Sequence, residues 1–450
     1  MKQNDTNDFS KGSVIGNIMR IAIPMMVAQF INVLYNVVDR IYIGRMGADA
    51  TNALTGLGVC LPLITVVMAF ANLISSGGAP LFSIARGRGD ERETKFLLGN
   101  SFLLLLIYGA AITILIYAFE EPLLRLLGAS NETLPYAKDY MNIYAAGTIF
   151  VMISLGLNSF INAQGFAKTG MFTVIIGAVL NIVLDPLFIF VFGMGVKGAA
   201  LATVISQLAS AVWTVLFLTG KRTLIKLSVS AMRPQKKRII KINTLGMSGF
   251  IMAATNSAVT TVCNSTLSVW GGDLYIAIMT IISSVRDVVQ MPVMGMTNGI
   301  QPVIGFNYGA GCGKRVKAAI RDSAAVLIIY TGVMWIAVIL FARQFLGMFS
   351  GDANVIEAGV RPLHIYFFGF VFMALQFTGQ SVFTGLGKTK QAIIFSLLRK
   401  VFIVIPLTII LPYWFGVDGV FIAEPVSNVI GGTACFITMI FTVYRKIKDK

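Results

Sequence analysis

The polar residues that could do chemistry in this sequence stand inside an otherwise apolar run, residues 175–192. Asn181 and Asp185 are four residues apart and therefore share one face of a helix. Pro186 follows directly and leaves the backbone carbonyl of Ile182 without its usual hydrogen bond. An amide, a carboxylate and a free carbonyl together suit the binding of a cation or a proton. Because a carboxylate inside a membrane costs roughly 2.5–3.5 kcal/mol on insertion scales, we expect Asp185 to face a partner or a water-filled cavity.

The composition of the chain indicates the class of protein that contains this run. Its 450 residues are 56% hydrophobic and only 12% charged, whereas soluble domains carry about 25% charged residues. The net charge of +16 comes from Lys and Arg in short loops between apolar runs, a pattern typical of membrane topology signals rather than of nucleic-acid binding. The four cysteines lack the spacing of a metal site or a disulfide framework. We therefore predict an all-α polytopic membrane protein, with the lipid bilayer as a partner and no nucleic-acid partner.

Twelve apolar segments in the sequence are predicted to cross the membrane as helices. Lys and Arg concentrate in the loops after the even-numbered segments and in the C-terminal tail. Because positive loops stay on the cytoplasmic side, this pattern predicts that both termini are cytoplasmic. The predicted segments are residues 17–43, 51–81, 96–118, 137–162, 170–192, 196–219, 242–269, 274–305, 320–342, 356–383, 391–412 and 417–444.

The two halves of the chain are related by an internal repeat. At an offset of 220–224 residues, the segment Gly195-Val-Lys-Gly aligns with Gly416-Val-Asp-Gly, and Pro186 aligns with Pro406. Six segments per half give both halves the same orientation, so the repeat predicts two bundles around a central cleft. This architecture is typical of transporters, although channels and flippases can also use it. The predicted parts are an N-terminal lobe, a basic cytoplasmic linker and a C-terminal lobe, at residues 1–220, 221–241 and 242–450.

Polar residues of the first half are predicted to lie at one depth in the membrane. From the segment ends, Asp39, Asp185 and Thr203 all lie roughly 8–11 Å below the outer boundary, at 1.5 Å per residue. Asn36, one turn before Asp39, lies close to the same layer. Two carboxylates in apolar surroundings oppose each other's ionisation, which suits proton exchange or the capture of sodium by oxygen ligands. The alternative is that Asp39 pairs with Arg40 and that Asp185 only caps a local bend.

The second half does not repeat these acids. Asn181 and Asp185 align with Val401 and Ile405, so the asymmetry favours an ion site in the first half. Two interpretations of the second half's own charges stay open: a salt-bridge network that fixes the halves, or a network that takes part in coupling. The charged residues in its predicted segments are Arg286, Asp287, Arg399, Lys400 and Glu424.

The sequence shows no pattern of an enzyme. Gly387-Lys388-Thr389 could suggest a phosphate-binding loop, but the glycine that such a loop requires at position 382 is Val382. No nucleophile–base pair and no metal spacing is visible. We therefore predict that the protein is not an enzyme and that it has no cofactor, only a coupling ion.

Several segments resemble one family of membrane transporters. PMMVAQF from Pro24 and YNVVDRIYIG from Tyr35 resemble the first helix of the multidrug and toxic compound extrusion (MATE) family, whereas NIVLDP and GAALAT resemble helices five and six of its DinF-like branch. The resemblance implies a V-shaped fold of twelve helices in two lobes. Pro24 matches the proline at which the family's first helix is proposed to bend. By the same resemblance, the family's cation site, with a possible Na⁺, falls on Asp39, Asn181, Asp185 and Thr203. The seventh segment lacks the glutamate of the NorM-like branch.

The resemblance therefore implies an antiporter. We expect a monomer in a bacterial or archaeal plasma membrane that exports cationic or amphipathic small molecules in exchange for H⁺ or Na⁺. A lipid-linked oligosaccharide flippase of the same superfamily is the alternative. Such a flippase needs basic residues for a diphosphate, and only Arg286, Arg399 and Lys400 could serve.

Overall fold

The prediction of an all-α polytopic membrane protein is confirmed. A computed structural model describes residues 7–43 and 50–448, and within these ranges all regular structure is helical. Ten helices there are long and apolar enough to cross a membrane, and a bent helix pair raises the number to eleven. Large apolar side chains such as Ile114 and Phe402 are exposed on the surface, as expected where lipid replaces water as the solvent.

The first half of the chain forms six helices, joined by short turns. Asp90 caps the third of them, because its side chain accepts a hydrogen bond of 2.9 Å from the backbone N–H of Glu93. The fifth helix ends in a wider π turn, Leu187–Val191, directly after Pro186. The helices are α1 (Val14–Ile43), α2 (Ala50–Gly87), α3 (Glu91–Leu126), α4 (Leu134–Ala163), α5 (Ala167–Val191) and α6 (Val196–Thr219).

The second half follows the same order with two visible departures. One predicted segment, 356–383, is broken into two helices bent by 44°, because Gly369 at the break lies against the backbone of Pro425, where a Cβ would not fit. The helix after it contains a π stretch, Leu398–Val404. The helices are α7 (Lys236–Trp270), α8 (Gly272–Gly309), α9 (Gly313–Leu340), α10 (Ala353–Phe367), α11 (Phe370–Gly385), α12 (Thr389–Phe415) and α13 (Asp418–Tyr444).

The repeat predicted from the sequence is visible in the backbone. Gly195 and Gly416 precede α6 and α13, and both adopt φ of 58°. An L side chain is strained in this region, whereas glycine is not. The same backbone conformation at aligned positions shows that the two halves turn into their sixth helices in the same way.

The chain divides into two compact units whose boundaries fall inside helices. The first unit contains Ile23–Gly246 with a short N-terminal piece that ends at Asp8, and the second contains Phe9–Ala22 and Met247–Lys450. Helices α1 and α7 therefore each begin in one unit and end in the other, at aligned positions of the repeat. The linker 221–241 lies within the first unit and does not mark the boundary between the compact units.

Glycines allow helices to pack closely at equivalent places in the two units. In the first unit, a Cβ on Gly77 of α2 would overlap the backbone oxygen of Ile242 in α7. In the second unit, a Cβ on Gly299 of α8 would come within 2.7 Å of the backbone oxygen of Ile18 in α1. Because small residues let helix backbones approach in membranes, these glycines fix the beginnings of α7 and α1 against their neighbours.

Candidate functional site

The structure brings the polar residues predicted on α5 and α6 into contact. The side-chain amide of Asn181 donates hydrogen bonds to Asp185 Oδ1 at 3.3 Å and to Thr203 Oγ1 at 3.4 Å. Asn181 and Asp185 are 2% and 0% exposed. Because the two residues are one helical turn apart, α5 presents them together to the start of α6. This cluster lies entirely within the first unit.

Asp39 joins the cluster from α1. The carboxyl group of Asp185 interacts with the carboxyl group of Asp39, both through space and as a hydrogen-bond partner. Two ionised carboxylates only accept hydrogen bonds. A bond between them therefore requires a proton on one carboxyl, and without the proton a cation is needed to offset their repulsion.

The cluster also contains buried oxygen atoms with unused acceptor capacity. No donor among residues 7–43 and 50–448 hydrogen-bonds Asn181 Oδ1 or Asp185 Oδ2, and both atoms are buried. Unpaired buried acceptors are costly, and oxygen atoms of amide, carboxylate and hydroxyl groups are the ligands that hard cations prefer. The residues present therefore fit a proton or Na⁺ as the transported ion.

Tyr140 of α4 is a member of this cluster that the sequence reasoning missed. Its hydroxyl interacts with Thr203 and lies near Asp39, and the residue is buried and stacks on Tyr144. The predicted fourth segment began at 137, too late to place Tyr140 at the depth of the acids. Because α4 begins at Leu134, Tyr140 lies about 9 Å along the helix. The depth argument with correct helix ends would have identified it.

Two further predicted residues of the first half have different outcomes. Asn36 lies in α1, but its side chain is outside the described part of the structure. The alternative pairing of Asp39 with Arg40 also involves a side chain outside that part. Pro24 lies inside α1, directly after the junction of the two units at Ala22 and Ile23. A bend at Pro24 stays a prediction.

A small cavity leads from the cluster along the inside of the first unit. Its volume is about 50 Å³, and Asn181 and Thr203 line one part of it. Polar side chains from α4 and α6 line the rest, including Gln207, which accepts a hydrogen bond of 2.7 Å from Ser154. The cavity holds a few water molecules and is much smaller than the roughly 300–1,000 Å³ of small-molecule pockets. It suits the passage of a proton or a small ion.

The five charged residues predicted in the second half form one cluster in the second unit. Arg399 Nη2 donates to Glu424 Oε1 at 2.7 Å, and Lys400 Nζ lies 3.5 Å from the same oxygen. Arg286 Nη2 donates to Asp287 Oδ1 at 3.0 Å. Their role in coupling stays a prediction, and the contacts themselves join helices α8, α12 and α13 of one unit.

A larger cavity in the second unit lies beside these charges. Its volume is about 320 Å³, and Met252, Met294, Met373 and Phe377 form an apolar part of its lining. Methionine and phenylalanine side chains adapt to ligands of varied shape. The described part of the second unit therefore holds the cavity whose size matches a small organic molecule.

An internally repeated helical membrane protein with a buried acid pair in one unit has the organisation of a secondary transporter. The MatE family model matches residues 24–187 and 245–410, most of the chain. The chain belongs to the MatE family. This result confirms the resemblance derived from α1, α5 and α6, and it confirms that the protein is not an enzyme, since relatives of this family are transporters.

Individual relatives match over nearly the whole chain. The multidrug export protein MepA of Staphylococcus saprophyticus is 27% identical over 447 residues, which cover 99% of this chain and 96% of the relative. MepA of Staphylococcus haemolyticus is 28% identical with the same coverage of both chains. A crystal structure of MATE in the bent conformation has a TM-score of 0.92 at 23% identity and covers 98% of each chain. The chain thus shares the fold of solved MATE transporters.

Proposed function

We propose that this protein is a secondary antiporter that exports cationic or amphipathic small molecules in exchange for H⁺ or Na⁺. The buried contact between Asp39 and Asp185 carries the proposal, because it requires a proton or a cation in the apolar interior. The naming of the matched relatives as multidrug export proteins supports the substrate class. We place the protein as a monomer in a bacterial or archaeal plasma membrane, with both termini in the cytoplasm.

The proposed exchange follows from unequal binding to two states. Entry of H⁺ or Na⁺ at Asp39 and Asp185 neutralises the acid pair and stabilises one state of the transporter, whereas substrate stabilises the other. An ion with equal affinity for both states would shift nothing, however tightly it bound. Asn181 holds Asp185 in place by its hydrogen bond of 3.3 Å and connects it to Thr203 on α6, so α5 and α6 respond together to the charge of the site.

A flippase for lipid-linked oligosaccharides is the second candidate function. The observation that favours it is the position of Arg286, Arg399 and Lys400 beside one cavity, since a diphosphate needs several cations. Ion pairs with Asp287 and Glu424 already occupy part of this charge. The antiporter therefore accounts better for the described residues.

Uptake of fluorescent dyes by proteoliposomes tests the proposed function. The purified protein is reconstituted, and uptake of a cationic amphipathic dye is measured under a pH gradient, a Na⁺ gradient, or neither. We expect uptake with one gradient only, which also identifies the coupling ion. If no dye of the class moves under either gradient, the antiporter proposal fails, and the flippase or an exporter of one specific metabolite replaces it.

The natural cysteines provide a test of the proposed orientation. Cys312, between α8 and α9, is partly exposed, whereas Cys60, Cys263 and Cys435 are buried. Because the basic loop around Cys312 is proposed to be cytoplasmic, a membrane-impermeant maleimide should label the protein in inside-out vesicles and not in intact cells. The Cys312→Ser variant should lose this labelling. Labelling of Cys312 from outside intact cells would show the opposite orientation.

A further inference from the structure

The larger cavity of the second unit carries charges that the proposed ion site does not use. Arg286, Arg399 and Lys400 line it together with Asp287 and Glu424. An adjoining cavity of about 220 Å³ also reaches Arg286, Asp287 and Glu424. A cationic substrate in this space would meet three positive side chains, so the charges need an explanation in terms of the ligand.

The described charges of this cavity do not balance. Glu424 Oε1 is the partner of both Arg399 Nη2, at 2.7 Å, and Lys400 Nζ, at 3.5 Å. Asp287 pairs with Arg286. Among the lining residues that the structure describes, three cations thus face two carboxylates. Because a buried charge is costly unless it is paired, the cavity favours a ligand that brings one negative charge.

Lys400 and Arg399 both reach this carboxylate because of the backbone around them. They lie in the π stretch Leu398–Val404 of α12. A π turn contains more residues than an α turn, so adjacent side chains point in more similar directions. The side chains of Arg399 and Lys400 are 9% and 12% exposed, which places both charges inside the protein rather than at its surface.

Unused hydrogen-bonding atoms accompany the excess charge. Arg399 Nε, Ser396 Oγ and Gln376 Oε1 are buried and have no hydrogen-bond partner within residues 7–43 and 50–448. The three residues are 7%, 3% and 3% exposed, and all of them line the 320 Å³ cavity. Arg399 Nε is a donor, and Ser396 can donate as well as accept. These atoms complete a site for a group that accepts hydrogen bonds and carries negative charge.

We propose that this cavity binds the carboxylate of amphipathic substrates, with Lys400, Arg399 and Arg286 around the carboxylate and the methionine-rich wall around the apolar part. The proposal rests on the export function proposed above and narrows its substrates to acids and zwitterions. Arginine binds carboxylates through two parallel hydrogen bonds, whereas an ester of the same shape lacks the charge. The transporter therefore distinguishes a zwitterion from the cation that differs from it by one ester group.

Two dyes that differ only in this group provide the test. Rhodamine 110 has a free carboxylate, and rhodamine 123 is its methyl ester. Binding of each dye to the purified full-length protein in detergent is measured by fluorescence anisotropy, without any gradient. We expect rhodamine 110 to bind about tenfold more tightly than rhodamine 123, equivalent to about 1.4 kcal/mol. Equal affinities in the wild-type protein would overturn the proposal.

Variants of the cavity show whether the preference arises at these residues. In Lys400→Gln, Glu424 keeps its partner Arg399, so the protein should fold while the affinity for rhodamine 110 falls about tenfold and that for rhodamine 123 changes less than about twofold. Lys400→Arg should retain the preference. Lys390→Gln, at an exposed position outside the cavity, is the matched control and should behave as wild type. Equal losses for both dyes in Lys400→Gln would contradict the proposal.

Further arms separate this proposal from other outcomes. If Lys400→Gln does not fold, Arg286→Gln takes its place, since Asp287 is largely exposed and stays solvated. Protection of the protein against heating by sodium phosphate, with equal binding of both dyes, would mean that the cavity binds an inorganic anion only and would overturn the proposal. The binding assay needs no gradient, so a carboxylate preference without gradient-driven uptake would refute the antiporter and retain the site.

Discussion

Replacing Asp39 with asparagine is expected to abolish gradient-driven export while the protein remains folded and inserted in the membrane. Asparagine has nearly the same shape but cannot ionise, so the contact with Asp185 no longer needs a proton or a cation. The coupling ion then loses its unequal affinity for the two states and drives no exchange. In reconstituted vesicles, dye uptake under the effective gradient should fall at least about tenfold.

Asp139→Asn is the matched control for this result. Asp139 lies on α4 next to Tyr140, but its side chain is 46% exposed and pairs only with Lys197, at 3.3 Å. Because exposed ion pairs contribute little, Asp139→Asn should transport as wild type. Gradient-driven uptake at the wild-type rate in Asp39→Asn, with equal amounts of protein in the vesicles, would remove Asp39 from the coupling mechanism.

Replacing Gly77 with alanine is expected to destabilise the first unit strongly. The added Cβ overlaps the backbone oxygen of Ile242 in α7, and a backbone atom cannot move aside as the end of a flexible side chain can. The two helices must separate and lose the packing along their contact, at an expected cost of at least about 3 kcal/mol. Thermal unfolding of the purified protein, followed by size-exclusion chromatography, measures this loss.

Gly58→Ala separates the packing effect from the general effect of a methyl group on the same helix. Gly58 also lies in α2, but nothing stands within 4 Å of the Cβ that it would acquire. Alanine favours helices over glycine by about 1 kcal/mol, so this variant should be at least as stable as wild type. If Gly77→Ala and Gly58→Ala unfold at the same temperature, the contact between α2 and α7 does not limit stability.

The sequence predicted the helices of this fold well because membrane helices are written in long apolar runs. The predicted segment 196–219 coincides with α6, but 96–118 falls short of α3 at both ends, since helices continue into the polar layer, where hydropathy no longer marks them. The break at Gly369 could not be predicted either. It depends on the backbone of Pro425, which is distant in sequence.

Half of the candidate site was accessible from spacing alone. Asn181 and Asp185 share a helix face by their separation of four residues, and the depth argument placed Asp39 and Thr203 with them. Tyr140 was missed because its depth depends on where α4 begins. The cavity of the second unit was also out of reach, because the joint approach of Arg399 and Lys400 to Glu424 depends on a π stretch that carries no simple sequence signal.

The exchange of first-helix segments between the two units has a consequence for the synthesis of the protein. The backbone oxygen of Phe9 accepts a hydrogen bond from Asn307, which lies 298 residues further along the chain. At a translation rate of about 5–20 residues per second, the ribosome needs roughly 15–60 s to deliver that partner. The second unit is therefore completed only after the first unit has been inserted. During this interval, lipid or a chaperone must cover the segment Phe9–Ala22.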